Sequence, residues 1–296
     1  MTLSAGHALA AGRSAAGPET WSTFWQEFCR EDELHERCHV PGDGRSVVDR
    51  HWANFAASLP RGAQVIDLGC GAGIVGRSLI SQRHDLPVAG VDWARVPAIG
   101  QANLTIHTPV RMEALPFGDC SFDAAVSLFG IEYGNIVETA RELQRVTKPG
   151  ARYSFLIHHR ESEIVREGGA RRRALRELIS GKMKHGFLSG SAAEIDQQKQ
   201  SLGRQFPGEP MIRLVGDYFR RNIARSRAER RAMWQRLADE LGPEIALLGQ
   251  LERSAKCESE LAPWLTPLLS TMDLTCVSVL RRGSREPIAW AVYGSR

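Results

Sequence analysis

The stretch Val65-Ile66-Asp67-Leu68-Gly69-Cys70-Gly71-Ala72-Gly73 decides the fold. Four residues read as a short apolar strand that carries one acid, and three glycines follow within five positions. A glycine turn after a strand lets a ligand approach the backbone where a side chain would block it. The helix that follows, Ile74 to Gln82, offers free N–H groups at its first turn. Gly71-x-Gly73-x-x-Gly76 meets the G-x-G-x-x-G dinucleotide spacing, a pattern of low specificity by itself. Asp67 argues for a different ligand, because a carboxylate there repels a pyrophosphate and suits a cation. A second acid, Asp92, ends the next strand, which begins at Val88. An acid at that strand tip can accept hydrogen bonds from both hydroxyls of a ribose.

Outward from this unit, strands and helices alternate. Leu104 to Thr108 reads as a third strand, Phe122 to Leu128 as a fourth, Ile136 to Val146 as a helix and Arg152 to Ile157 as a fifth strand. Such alternation predicts a parallel sheet covered on both faces. Thr275 to Leu280 and Ile288 to Tyr293 read as a terminal hairpin closing the same sheet. The expected organisation is a flexible tail over residues 1–20, a helical cap over 21–60, the core over 61–159, a helical insertion over 160–270 and the hairpin over 271–296. In the cap, Trp21, Trp25 and Phe28 recur at helical spacing, and Val48, Trp52, Phe55 and Leu59 form a second stripe. In the insertion, Ser191-x-x-Glu194 resembles a capping box. Asp217 is read there as the cap of a helix that runs to Leu241 and stops at Gly242-Pro243.

Composition bounds the function classes. With 296 residues, 43% hydrophobic and 24% charged, the chain is globular rather than disordered or fibrous. Its six cysteines form no C-x-x-C pair, which argues against a disulfide framework and against a zinc site and makes a reducing cytoplasm the expectation; no metal is expected. No apolar run is long enough to span a bilayer, and the first residues lack the pattern of a secretory signal. The net charge of +4 is mild, but Arg160 to Arg236 holds 18 Lys and Arg against 9 Asp and Glu.

Four ordered segments, VIDLGCGAGIVG, VAGVD, EALPFGDCSFDAAVS and ELQRVTKPGARYSF, resemble the class I S-adenosylmethionine-dependent methyltransferases. The similarity is greatest to the ubiquinone/menaquinone-biosynthesis branch and covers roughly Val65 to Phe155. It implies a Rossmann-like, doubly wound α/β sheet of seven strands whose last strand is antiparallel; the helical insertion read above then falls between strands 5 and 6. It implies S-adenosylmethionine as cofactor and S-adenosylhomocysteine as product, bound across the carboxyl ends of the strands. Carried over by position, Asp67, Gly69 and Gly71, with Cys70 in the turn between them, sit against the methionine part. Asp92 takes the ribose hydroxyls, Trp93 stacks on adenine, Met112 and Glu113 lie in the adenine-side loop, and Ser127 and Leu128 adjoin the sulfonium. One departure stands out: Arg111-Met112 occupies the place where this family commonly has Asp-Ala.

The acceptor side is less specified. Methyl transfer from a sulfonium is chiefly alignment, and a base is needed only if the acceptor must lose a proton. His158 and His159, at the end of the fifth strand, are the first candidates for that base, and Glu132 and Tyr133, after the fourth, the second. The N-terminal aromatics could cover the cofactor or an apolar acceptor. The expected function is O- or C-methylation of a small molecule, anionic or aromatic, held by the helical insertion. The alternatives are an RNA methyltransferase using the basic insertion, or a non-methylating protein that binds the cofactor on the same scaffold. The place after the fourth strand reads Ser127-Leu128-Phe129-Gly130 rather than the Pro-Pro-aromatic signature of base-amine methylation, which argues against nucleic acid. Oligomeric state is left open.

Overall fold

The structure is a computed structural model that describes residues 17–30, 44–97 and 100–296. Most of the expected tail and residues 31–43 of the expected cap lie outside the described residues, as does the Phe28 side chain. The described chain forms two compact units, one of residues 17–165 with 253–296 and one of residues 166–252.

The first unit is built on a sheet of seven strands in the order β3-β2-β1-β4-β5-β7-β6. The strands are β1 (Val65–Leu68), β2 (Val88–Val91), β3 (Leu104–His107), β4 (Phe122–Leu128), β5 (Thr147–His158), β6 (Asp273–Arg282) and β7 (Glu286–Ser295). Strands β1 to β5 pair in parallel, while β7 runs antiparallel to both β5 and β6. The doubly wound sheet with an antiparallel last strand is therefore observed as the sequence predicted. Alternate residues feed two cores. Val65, Ala124, Val126, Leu156 and Ala291 face α2 (Gly44–Ser58) and α3 (Ile74–Gln82). Ile66, Leu68, Ala125, Phe155, Ile157 and Trp290 face α4 (Ile136–Val146) and α10 (Glu258–Leu269). That alternation is the period-2 geometry of strands buried on both faces. α1 (Pro18–Arg30) precedes this set.

The second unit is helical and has its own core, in which Phe187 and Phe219 stack at 4.0 Å among Leu175, Leu178, Ile195 and Ile212. It runs from within α5 (Glu163–Ser180) through α6 (Lys182–Ser189), α7 (Ala192–Gln205) and α8 (Pro210–Arg221) into α9 (Arg227–Ser254). Ser191 caps α7 by accepting the Glu194 N–H, but the reciprocal half of the expected capping box is not seen, because the Glu194 carboxylate meets His185 Nδ1 at 2.9 Å. The long helix from Asp217 to Leu241 is not observed. Asp217 lies inside α8, where its carboxylate meets Lys199 Nζ at 2.5 Å, and the break falls after Arg221. There Asn222 donates to the Tyr218 carbonyl, and Ser226 caps α9 through the Glu229 N–H. Pro243 lies within α9 instead of ending it. Leu241 on one side, and Ile245 and Leu248 on the other, are packed into the same core, so tertiary contact outweighs the lost N–H.

Sheet and helix layer are joined by a buried polar cluster. His51 on α2 reaches Ser154 Oγ on β5 at 2.9 Å through Nε2 and Tyr293 Oη on β7 at 2.8 Å through Nδ1. Burial lowers the His51 imidazole to about 4. The folded protein thus refuses a proton that the unfolded chain accepts near pH 6.5, so stability falls as pH drops from about 6.5 to about 4 and is unaffected above that window. The effect amounts to about 3 kcal/mol at its largest. Urea unfolding of His51→Gln should show a weaker loss between pH 7 and pH 4.5 than the parent, and an identical loss would remove His51 as its source.

Candidate functional site

The site grows from the carboxyl ends of β1, β2, β4 and β5. After β1, Gly69, Gly71 and Gly73 all adopt positive φ (64°, 48° and 73°), which L side chains rarely do. Space demands glycine as well. A Cβ on Gly69 would stand 2.8 Å from Gly130 Cα, and one on Gly71 2.2 Å from the Trp25 ring. Cys70 turns its sulfur toward Gly90 of β2, where a Cβ would meet Sγ at 2.7 Å. Burial pushes the Cys70 thiol up, so it serves packing. Asp92 holds the turn, with Oδ2 accepting the Gly71 N–H at 2.9 Å and Oδ1 the Ala94 N–H at 2.8 Å.

Asp67 is fully buried, and neither carboxylate oxygen has a hydrogen-bond partner among the described residues. Burial first, and then the charge of Asp92, push its carboxyl up to about 8 against a smaller opposing pull from the Gly76 amide. An orphaned buried acid beside a glycine cradle is the environment a cationic ligand relieves. The residues present therefore fit a group that carries an ammonium or a sulfonium.

α1 stands on this turn. Trp25 lies on the face of Gly71 and packs with Ala72 and Ala94, and Ser22 Oγ accepts the Arg95 N–H at 2.9 Å. Trp21 meets the ring of Tyr133 edge-on at 5.4 Å. On the side expected to hold adenine, Trp93 is 41% exposed with the Arg111 guanidinium 5.1 Å from its ring centre. Glu113 braces the loop from within, since its Oε1 accepts the Asn135 N–H at 2.7 Å and its Oε2 lies 3.4 Å from Arg111 Nε. Met112 packs against Gly134.

The structure draws together acceptor-side candidates that come from two strands. Ser127 is buried, its hydroxyl donating to the Leu68 carbonyl at 2.7 Å and accepting the Ile131 N–H at 2.9 Å, while Leu128 is half-buried against the core. Glu132 lies in the 3₁₀ turn Ile131–Tyr133 with its carboxylate fully buried. Its Oε1 accepts the backbone N–H of His158 at 3.0 Å and stands 2.8 Å from His158 Nδ1. Tyr133 meets the same imidazole edge-on at 6.1 Å; burial pushes its phenol up. His159 turns away, stacked on Trp290 at 4.6 Å with Nδ1 accepting the Glu161 N–H. Phe129, which sequence reasoning passed over, stacks on His158 at 4.0 Å and holds φ at 54°. A bulky residue at positive φ signals a constrained site, and no feature of the local sequence announces it.

Residues 66–155 match the family described as Methyltransferase domain. The chain is similar to the ubiquinone/menaquinone biosynthesis C-methyltransferase of Geobacter sulfurreducens, at 32% identity over 37% of this chain and 48% of the relative. It is similar to the 2-phytyl-1,4-naphtoquinone methyltransferase of Synechocystis sp., at 33% over 35% and 48%. A third relative is the malonyl-(acyl-carrier protein) O-methyltransferase of Erwinia pyrifoliae, at 34% over 31% and 36%. The chain spans about half the length of the first of these. The matched segment runs from β1 into β5 and includes the glycine turn, Asp92 and Glu132 but stops short of His158. No helix among the described residues is long and apolar enough to cross a membrane, and none of their His, Cys, Asp and Glu side chains cluster in threes to hold a metal.

Gly71→Val places a branched side chain where Trp25 stands and at a φ it resists. Hydrogen exchange should accelerate across α1 while β1 and β4 stay protected; unchanged exchange in α1 would mean that Trp25 does not rest on this turn.

Proposed function

We propose that the chain is an S-adenosylmethionine-dependent methyltransferase that methylates a small organic acceptor at oxygen or carbon. The observation that carries this reading is the pairing of an orphaned buried acid beside a glycine turn with a buried His158–Glu132 dyad at the same edge of the sheet. When bound, the cofactor supplies an activated methyl group on a sulfonium. Asp67 would balance positive charge at the methionine end, and Gly69 and Gly71 leave room for close approach. Asp92 retains lone pairs beyond the two amide bonds it accepts, and these suit ribose hydroxyls. Trp93 offers its exposed face to adenine beside Arg111, and Glu113, already bonded to Asn135, shapes that loop from behind.

His158 is the base in this reading. An ionised carboxylate only accepts, so Glu132 places the imidazole proton on Nδ1 and leaves the lone pair on Nε2. His159 lacks that arrangement. Phe129 and Tyr133 fix the ring, and a fixed ring makes proton removal a matter of alignment. Acceptor binding by the helical unit stays within the proposal. Its support is the positive charge of residues 160–236, although Arg171, Arg172 and Arg220 already pair with Glu244, Glu252 and Asp196.

Titration calorimetry with S-adenosylhomocysteine tests the cofactor. Affinity should be micromolar, about −8 kcal/mol, and Asp92→Ala should weaken it tenfold or more. Binding should tighten as pH rises toward 8, with proton release, because the ammonium of the ligand favours ionised Asp67, and should level off near 8. Absence of binding by both S-adenosylmethionine and S-adenosylhomocysteine would overturn the assignment. For the base, His158→Ala should lower kcat by about 100-fold with cofactor affinity unchanged, whereas His159→Ala should act mainly on stability. Equal kcat losses in both would remove the distinction drawn here.

A further inference from the structure

The sheet ends on one side in β6, and that edge is left open. Strand β6 is ten residues long and pairs with β7 alone, whereas the opposite edge, β3, has four residues. An edge strand presents a row of unpaired N–H and C=O groups, and proteins that keep such an edge in water blunt it with lysine, proline or a strong bulge. The middle of β6 carries none of these. It reads Thr275-Cys276-Val277-Ser278-Val279-Leu280. The irregularities of β6 lie at its two flanks, next to Thr275 and Arg281, and residues 276–280 keep regular register with β7. Thr275, Cys276, Val277 and Ser278 are all exposed, Val277 to 43%. Among the described residues no backbone group bonds to the outer side of this strand.

The charges on β6 specify what fits there. Asp273 stands at one end, and Arg281 and Arg282 at the other. Arg282 is committed to Glu163 and Glu286 of its own chain. Asp273 and Arg281 are exposed and hold no ion pair among the described residues; Arg281 gives one guanidinium nitrogen to the Arg285 carbonyl. The two lie equally far from Val277 in sequence. A second β6 laid antiparallel about Val277 therefore sets Asp273 of each copy opposite Arg281 of the other. Opposite charges across such a pair stabilise it, and like charges oppose it. Parallel pairing in register would instead bring Arg281 beside Arg281. The strand is thus complementary to itself in one direction only, which is the condition for a two-fold contact. Val277 then meets its own counterpart on the axis, and Cys276 of each copy faces Ser278 of the other.

We propose that β6 is the interface of a homodimer, in which two copies pair antiparallel about Val277 and their two seven-stranded sheets become one. Backbone hydrogen bonds supply the attraction, and the end charges fix the register, since a slip along the strand would part them. An edge contact of this length is small. The dimer is accordingly reversible and forms as concentration rises through the micromolar range.

Sedimentation velocity of the whole chain over that range tests this, with reductant present so that the exposed Cys120 and Cys276 do not cross-link. The parent should pass from monomer to dimer, and the amides of β6 should exchange with deuterium more slowly at the dimeric end of the series. Val277→Lys brings two ammonium groups together on the axis and should leave the chain monomeric, with its thermal midpoint kept because the site is exposed. Arg281→Asp should weaken the dimer about tenfold. Combining it with Asp273→Arg should bring the affinity back to within about threefold of the parent. A parent that stays monomeric throughout would overturn the proposal. So would a dimer that survives Val277→Lys, which would place the contact elsewhere, or a double reversal no tighter than Arg281→Asp alone, which would refute the antiparallel register. Should Val277→Lys lower the thermal midpoint, the charge reversals at the exposed ends of the strand decide by themselves.

Discussion

Two stretches of backbone meet with no side chain between them, and the rest of the site depends on that contact. Gly69, leaving β1, and Gly130, just beyond β4, approach so closely that a Cβ on Gly130 would stand 2.6 Å from the Leu68 carbonyl oxygen. Ser127 closes the same seam from beneath, joined to Leu68 and Ile131. Because β4 is held against β1 there, the glycine turn and the turn that carries Glu132 become neighbours. Phe129 then bends back through a left-handed conformation to cover His158. A methyl group added at either glycine would have to part the two strands.

Much of this was legible in the sequence. Strands buried on both faces read as short apolar runs, and the glycine turn with its two acids announced the carboxyl edge. The terminal hairpin was legible because β-rich runs reappear after a long helical stretch. Glu132 and His158 were each singled out, but not as a pair. They come together through the parallel register of Leu128 against Leu156, which no local pattern encodes. Pro243 misled because a helix stop is a local rule, and here leucines and an isoleucine on both sides bury the helix across it.

Arg111 shows how a departure from a family pattern can be absorbed. The acid expected two positions before Glu113 is absent, yet the loop keeps its shape, because Glu113 itself caps Asn135 and the guanidinium rests by the Trp93 ring. The charge is thereby spread over an aromatic face and a carboxylate at the rim.

The two buried carboxylates, read together, give the site a direction. In the proposed reaction a positive charge begins beside Asp67 and, once the acceptor has been methylated and has lost its proton, ends on the His158 imidazole beside Glu132. A low-dielectric site that merely tolerated the first charge would resist its disappearance, and one that stabilised only the second would bind the cofactor poorly. Neither Asp67 oxygen has a hydrogen-bond partner among the described residues, so a cationic group on a ligand would satisfy it, whereas Glu132 is already joined to His158 through both the backbone N–H and Nδ1.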